Sequence, residues 1–150
     1  MSRKAFHRVT VACIVSLVTG SGLALAQSHP VGVWRTIDDE TKKERSTVRI
    51  TEANGVLTGR IEGLPDSADR DAVCDKCSDQ RKGARIIGLT IIEGVSNGDG
   101  DEYWDGGQIL DPNNGKTYTV RLSPHDNGRR LQVRGYIGPF FRTQVWERVE

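Results

Sequence analysis

The sequence predicts an all-β domain, an antiparallel up-and-down barrel of eight strands. Three observations carry this reading. From Gln27 onward, Val and Ile number 19 against 10 for Ala and Leu, a ratio that suits a pleated surface better than a helix. Asn54-Gly55 sits between two runs of alternating apolar and polar residues, the strongest short-range hairpin signal. Glycines and prolines are spread evenly and cut the chain into short segments. None of these segments has helical periodicity beyond a single turn near residues 67–73.

Taken in order, residues 33–37 form a first strand and residues 38–45 a charged loop. Val48 and Ile50 alternate with polar neighbours, residues 53–56 turn, and Leu57, Gly59 and Ile61 alternate again. From Pro65 to Arg85 the pattern vanishes, leaving a long loop that is either braced or functional. Residues 86–92 are a nearly continuous apolar strand. Residues 103–110 form another, where Gly106-Gly107 marks a bulge or a close backbone approach. Asp111-Pro112-Asn113-Asn114-Gly115 is a turn, with Pro fixing φ and Asn-Gly supplying left-handed positions. Tyr118, Val120 and Leu122 point one way, and Leu131, Val133 and Gly135 repeat the pattern after a turn at residues 123–128. Residues 143–149 close the chain. There the alternation conflicts, since Trp146 faces opposite to Val145 and Val149. Eight antiparallel strands lose their exposed edges most simply by closing into a barrel.

The first 26 residues read as a cleaved secretory leader. Arg3, Lys4 and Arg8 precede an apolar stretch at residues 9–18, and Ala24-Leu25-Ala26 offers a small-residue cleavage site before Gln27. The barrel domain is then residues 27–150, periplasmic or secreted. Val11-Ala12-Cys13 is too close to the basic start for a lipidation site. The stretch is shorter than the roughly 20 residues of a membrane span, and no later run reaches that length. Removing Arg3, Lys4 and Arg8 from the 21 basic residues leaves 18 against 20 acidic ones. A charge so near zero excludes a general electrostatic nucleic-acid binder.

Cys74-Asp75-Lys76-Cys77 is the sharpest local motif, and three readings compete for it. After export a disulfide is the simplest, and it would brace a loop with few apolar anchors. A zinc half-site would need two further ligands, with His29 and His125 distant and Asp71, Asp75 and Asp79 near. A redox-active pair is opposed by those aspartates, which disfavour a thiolate. The disulfide is the expected state. Asn97–Glu102 has alternating acids but lacks the length and flanking helices of an EF-hand, so it reads as a solvated turn. Asp38-Asp39-Glu40 reads as a charged loop, because adjacent carboxylates rarely acquire the two distinct environments that acid–base catalysis needs. His125 belongs in an exposed turn, and Arg129, Arg130 and Arg134 form a small basic patch. There is no Gly-x-Ser-x-Gly elbow and no glycine-rich phosphate loop. A non-enzymatic protein without a cofactor or metal is expected.

Two functions remain. In one, a small apolar molecule sits in the barrel mouth, lined by Trp104, Tyr118 and Tyr136, whose rings are apolar with a polar tip. In the other, the protein is an envelope interaction module that meets a protein partner through its surface loops. An eight-stranded barrel has room either for its own side chains or for one small ligand.

Several segments occur together in one order: Gly32-Val33-Trp34, Cys74-Asp75-Lys76-Cys77, the run from Trp104 to Pro112, Gly115-Lys116-Thr117-Tyr118, Arg134 to Gly138, and Arg142 to Arg148. In these the chain resembles the bacterial family called domain of unknown function 2147, over nearly all of residues 27–150. The resemblance implies an exported, lipocalin-like (calycin-type) barrel and supplies no reaction. Calycin-type barrels share an early Gly-x-Trp and a late Arg packed over the indole at the closed end. By that resemblance Gly32 and Trp34 close the barrel with either Arg142 or Arg148. The long cysteine loop has no counterpart in ordinary lipocalins.

Overall fold

Eight strands pair in strict chain order and close into one antiparallel barrel in the computed structural model, which describes residues 28–100 and 102–150. The leader read at residues 1–26, Cys13 included, lies outside the described residues. The strands are β1 (Gly32–Ile37), β2 (Glu44–Ala53), β3 (Val56–Gly63), β4 (Thr90–Ser96), β5 (Trp104–Asp111), β6 (Lys116–His125), β7 (Arg130–Ile137) and β8 (Phe140–Arg148). Every neighbour is joined by a short hairpin except β3 and β4, so the sheet is an up-and-down meander.

The alternation dictates the inner wall. Val48 faces Ile61 across β2 and β3, Leu122 faces Val133 across β6 and β7, and Leu131 faces Trp146 across β7 and β8. These residues, with Trp34, Ile50, Leu57, Ile92, Val95 and Val120, form one buried cluster. At ~25 cal/mol per Å² of apolar surface removed from water, such a cluster is the main term holding the barrel together.

The closing seam is short. β1 pairs with β8 only at Trp34–Arg148 and Arg35–Glu147, whereas β8 pairs with β7 along its whole length. The upper part of β8 therefore runs past β1 without a ladder between them.

Two elements differ from the expectation. The strand expected at residues 86–92 begins only at Thr90 and runs on to Ser96. Ile86 to Leu89 instead fold back, with Leu89 N–H donating to Ile86 O and Gly88 N–H to Ile61 O. Leu89 is buried in the core cluster and Ile86 packs against it, which is why the segment is hydrophobic without being a strand. In β8 the conflict resolves in favour of Trp146, which is buried, while Val145 and Val149 are exposed.

The loop between β3 and β4 is tied to the barrel. Cys74 and Cys77 form a disulfide with Cα atoms 5.5 Å apart, and both belong to the buried cluster. Cys74 N–H donates to Ala84 O and Gly83 N–H returns to Cys74 O. Cys74 Sγ lies 3.9 Å from Pro112 O in the β5–β6 turn, a packing contact, since a disulfide sulfur has no hydrogen to give. Gly115, at φ +72°, passes so close to Lys76 that a Cβ there would overlap its carbonyl. Arg81 links the loop to β6 by donating to Thr117 Oγ1 at 3.2 Å. Asp79, gripped by the side chain of Arg81, is lowered to a pKa of about 2.

Candidate functional site

The two ends of the barrel are built differently. At the closed end Trp34 is fully buried, and its indole N–H donates to Pro30 O at 2.7 Å. The Arg148 guanidinium lies 4.2 Å from the centre of the Trp34 ring. It donates to four backbone carbonyls: Gly128 O at 2.5 Å, Val31 O at 2.8 Å, His29 O at 2.6 Å and Glu150 O at 3.2 Å. Burial pushes the Arg148 guanidinium below its ordinary pKa. Gly32, at φ +141°, leaves the space this requires, since a Cβ would meet Arg148 and lie 2.6 Å from Glu150 O. One guanidinium thus joins the chain before β1, the β6–β7 turn and the end of β8.

Arg142 does not share this role. It sits at the opposite, open end, where it forms a bidentate pair with Asp39, Nε to Oδ2 being 2.8 Å. Six residues along β8 separate the two arginines, which at ~3.4 Å per residue carries them from one end of the barrel to the other. Trp104 is likewise at the closed end, edge-on to His29 with ring centres 4.9 Å apart. Tyr136 packs against Phe141, 6.2 Å between centres, on the other side of the sheet from Gly135. Of the three aromatic residues expected around a ligand, only Tyr118 lines the interior space.

That space is a cavity of about 240 Å³ opening at the mouth. Its apolar lining includes Ile61, Ile91, Ile109, Val133 and Trp146, and its polar lining includes Thr36, Ser46, Tyr118 and Gln144. Asp38, Glu40, Arg45, Asp111 and Arg142 complete the charged part of the lining. The cavity exists because Thr36, Ser46 and Gly135 stand where larger side chains would fill the barrel. Gly135 lets the Tyr118 ring lie across the wall, since a Cβ would stand 3.3 Å from Tyr118 Cβ.

The charged loop is more ordered than its composition suggests. Asp38 is 5% exposed. It accepts from Thr41 N–H at 2.6 Å, Thr41 Oγ1 at 2.8 Å and Arg45 Nε and Nη2 at 3.0 and 2.6 Å. The Thr41 backbone bond, then Arg45 and the Thr41 hydroxyl, hold its carboxyl well below the usual range. Asp39 is lowered too, first by its bonds from Arg142. Asp38 and Asp39 thus stay ionised and neutralise the two arginines of the mouth. Thr36 and Ser46 share a 2.9 Å hydrogen bond, and Trp146 Nε1 donates to Gln144 Oε1 at 3.0 Å.

The sequence reading assigns none of Thr36, Ser46, Gln144 and Trp146 to a ligand site. A signal was present: Thr36 follows Trp34, and Ser46 precedes Val48, at the two-residue spacing of one strand face. Small polar residues on the inner face at one end of two paired strands mean space at that end. Among the described residues no three His, Cys, Asp or Glu side chains are grouped to hold a metal ion. No described helix is long and apolar enough to cross a membrane.

The barrel is similar to a solved structure described as "Protein HP1028 from the human pathogen Helicobacter pylori belongs to the lipocalin family". The TM-score is 0.70, with 21% identity over 81% of this chain and 84% of that one. At that identity the likeness shows the fold, a lipocalin-like barrel. No curated protein matches the chain. The family model for uncharacterized proteins conserved in bacteria (DUF2147) matches residues 32–148. That span runs from the glycine beneath Arg148 to Arg148 itself, and the chain belongs to this family.

Proposed function

We propose that the protein is an exported, non-catalytic carrier that holds one small, largely apolar molecule in the open end of its barrel. The observation that carries this reading is the cavity of about 240 Å³, with Ile61, Val133 and Trp146 among its lining and a polar rim. An apolar pocket with a few convergent polar groups is the usual form of a small-molecule site. The volume lies below the common range of ~300–1,000 Å³, so the ligand is small or inserts one end. One feature supports a binding role over catalysis: Asp38 and Asp39 are each clamped by an arginine. Export is supported by the leader pattern in residues 1–26 and by a disulfide, which persists in oxidising compartments.

The test is a thermal and tryptophan-emission titration with fatty acids, isoprenoids and small aromatics. A true ligand at a hundredfold excess over its Kd adds about 2.7 kcal/mol of stability and shifts emission through Trp146. If no compound in the panel moves either signal, the carrier reading fails. The mass of the mature protein from its own host tests export, with Gln27 as the expected first residue.

A second reading, an envelope module that meets a protein partner, is favoured by one feature. Ile137, Phe140 and Phe141 are exposed together at the β7–β8 turn, Phe140 at 72%. Replacing both phenylalanines by serine would abolish such a contact and leave small-molecule binding unchanged. The long cysteine loop is held to the barrel by its two buried cysteines, while most of its other residues are exposed.

A further inference from the structure

We infer that the cavity selects an uncharged molecule with an apolar body and a carbonyl-type hydrogen-bond acceptor, in preference to a free carboxylate or an amine. The inference rests on the carrier reading and names the ligand chemistry of that site. It follows from counting the donors and charges that the lining leaves over.

Gln144 gives the first donor. An indole N–H can only donate, so the Gln144 atom 3.0 Å from Trp146 Nε1 is the amide oxygen. The amide nitrogen is thereby placed on the other branch, and its two hydrogens have no acceptor among the described residues. Gln144 shares the inner face of β8 with Trp146 and Arg142, two residues to either side, so those hydrogens serve the cavity. The hydroxyl pair gives the second. Thr36 and Ser46 share one hydrogen between them, which leaves the other hydroxyl hydrogen free, and both residues line the cavity. Tyr118 gives the third: its oxygen accepts from Asn114 Nδ2 at 2.9 Å, so its own hydrogen remains. Three surplus donors in one small, partly apolar space call for an acceptor.

The charges decide which acceptor. A carboxylate would need a free cation, and both arginines of the lining are occupied. Arg45 is held by Asp38 and Arg142 by Asp39. The remaining charged side chains of the lining, Glu40 and Asp111, are both negative and repel an anion. An ammonium group is attracted by Glu40 and Asp111 only at the exposed rim; at depth it would meet donors and lose its hydration. A ketone, ester or amide oxygen accepts without needing a counter-ion.

The cavity has the volume of about eight waters at ~30 Å³ each, which suits probes built on a single aromatic ring. Ethylbenzene, acetophenone, phenylacetate and phenethylammonium share one body and differ in the head. Their binding to the full folded protein at pH 7.5 is measured by calorimetry, with the Gln144 side-chain amide followed by NMR. Acetophenone is expected to bind roughly three- to tenfold tighter than each of the others, the worth of one to two net hydrogen bonds, and to shift the Gln144 amide. Q144M should narrow the ratio of acetophenone to ethylbenzene affinity, since it removes the two surplus amide hydrogens. T36V combined with S46A, which removes both hydroxyls and so the surplus hydrogen of the pair, gives a second variant should Q144M fold poorly. The inference is overturned, with the carrier reading intact, if phenylacetate or phenethylammonium binds best. The same holds if all four bind alike, or if neither variant changes the preference. If none of the four binds, the carrier reading falls and takes the inference with it.

Discussion

Removing the Arg148 guanidinium while keeping its stem, as in Arg148→Met, tests how the barrel is closed. The side chain loses its contact with the Trp34 ring, worth about 1 kcal/mol at a partly desolvated site. It also loses three short hydrogen bonds to Gly128 O, Val31 O and His29 O, beside a longer one of 3.2 Å to Glu150 O. Each contributes about 1 kcal/mol net when one partner is charged and half-exposed. The expected loss is about 3–4 kcal/mol, a large share of the ~5–15 kcal/mol that a domain has in total. For a domain of this size, at roughly 3–5 °C per kcal/mol, Tm should fall by about 10–15 °C in a calorimetric or circular-dichroism melt. Arg142→Met provides the internal comparison. Its pair with Asp39 is largely solvent-exposed, and such pairs are worth ~0–1 kcal/mol, so the shift should stay under about 4 °C. Arg148→Lys should behave like Arg148→Met, because an ammonium cannot span three carbonyls from one planar fork. The reasoning is refuted if Arg142→Met destabilises as much as Arg148→Met, or if Arg148→Lys melts like the parent.

Replacing both Cys74 and Cys77 by serine should cost at least ~2 kcal/mol, the chain-entropy value for so short a ring, plus the burial of two hydroxyls. A urea melt measures it, and thiol labelling of the unfolded parent protein should find both cysteines unreactive until reductant is added. Gly115→Ala should lower stability by more than about 1 kcal/mol, since it adds a left-handed alanine to an overlap with Lys76. A neutral effect in the same melt would mean the loop does not dock on the β5–β6 turn. Stability should be flat above about pH 4 and fall as pH drops towards 2 and below. Asp38, Asp39 and Asp79 all have folded-state pKa values below their unfolded ones, so their stabilisation is present above the unfolded value and lost as pH falls through the folded one. Acid melts of Asp79→Asn should lack the part of this loss that falls near pH 2.

The sequence by itself determined the number and order of the strands. Each strand announces itself by alternation and each hairpin by local turn chemistry, such as Asn54-Gly55 and Asp111 to Gly115, all within a few residues. It also made a disulfide between two neighbouring cysteines the expected brace of the one long loop, which the structure bears out. The tertiary structure alone decided which face of each strand points inward at the open end, and which distant residues meet there. Alternation gives two faces, and hydrophobicity names the inner one only where the interior is filled with apolar side chains. On β8 that rule inverts, because Arg142, Gln144 and Trp146 face a polar-lined cavity while Phe141 and Val145 face outward. Trp104 and Tyr136 look like ligand-lining residues in sequence, yet closure puts the first beside His29 and the second on the outer wall. The choice between Arg142 and Arg148 rests on contacts made across more than a hundred residues of chain. Only the closed ladder brings those residues together, so no local pattern encodes the choice.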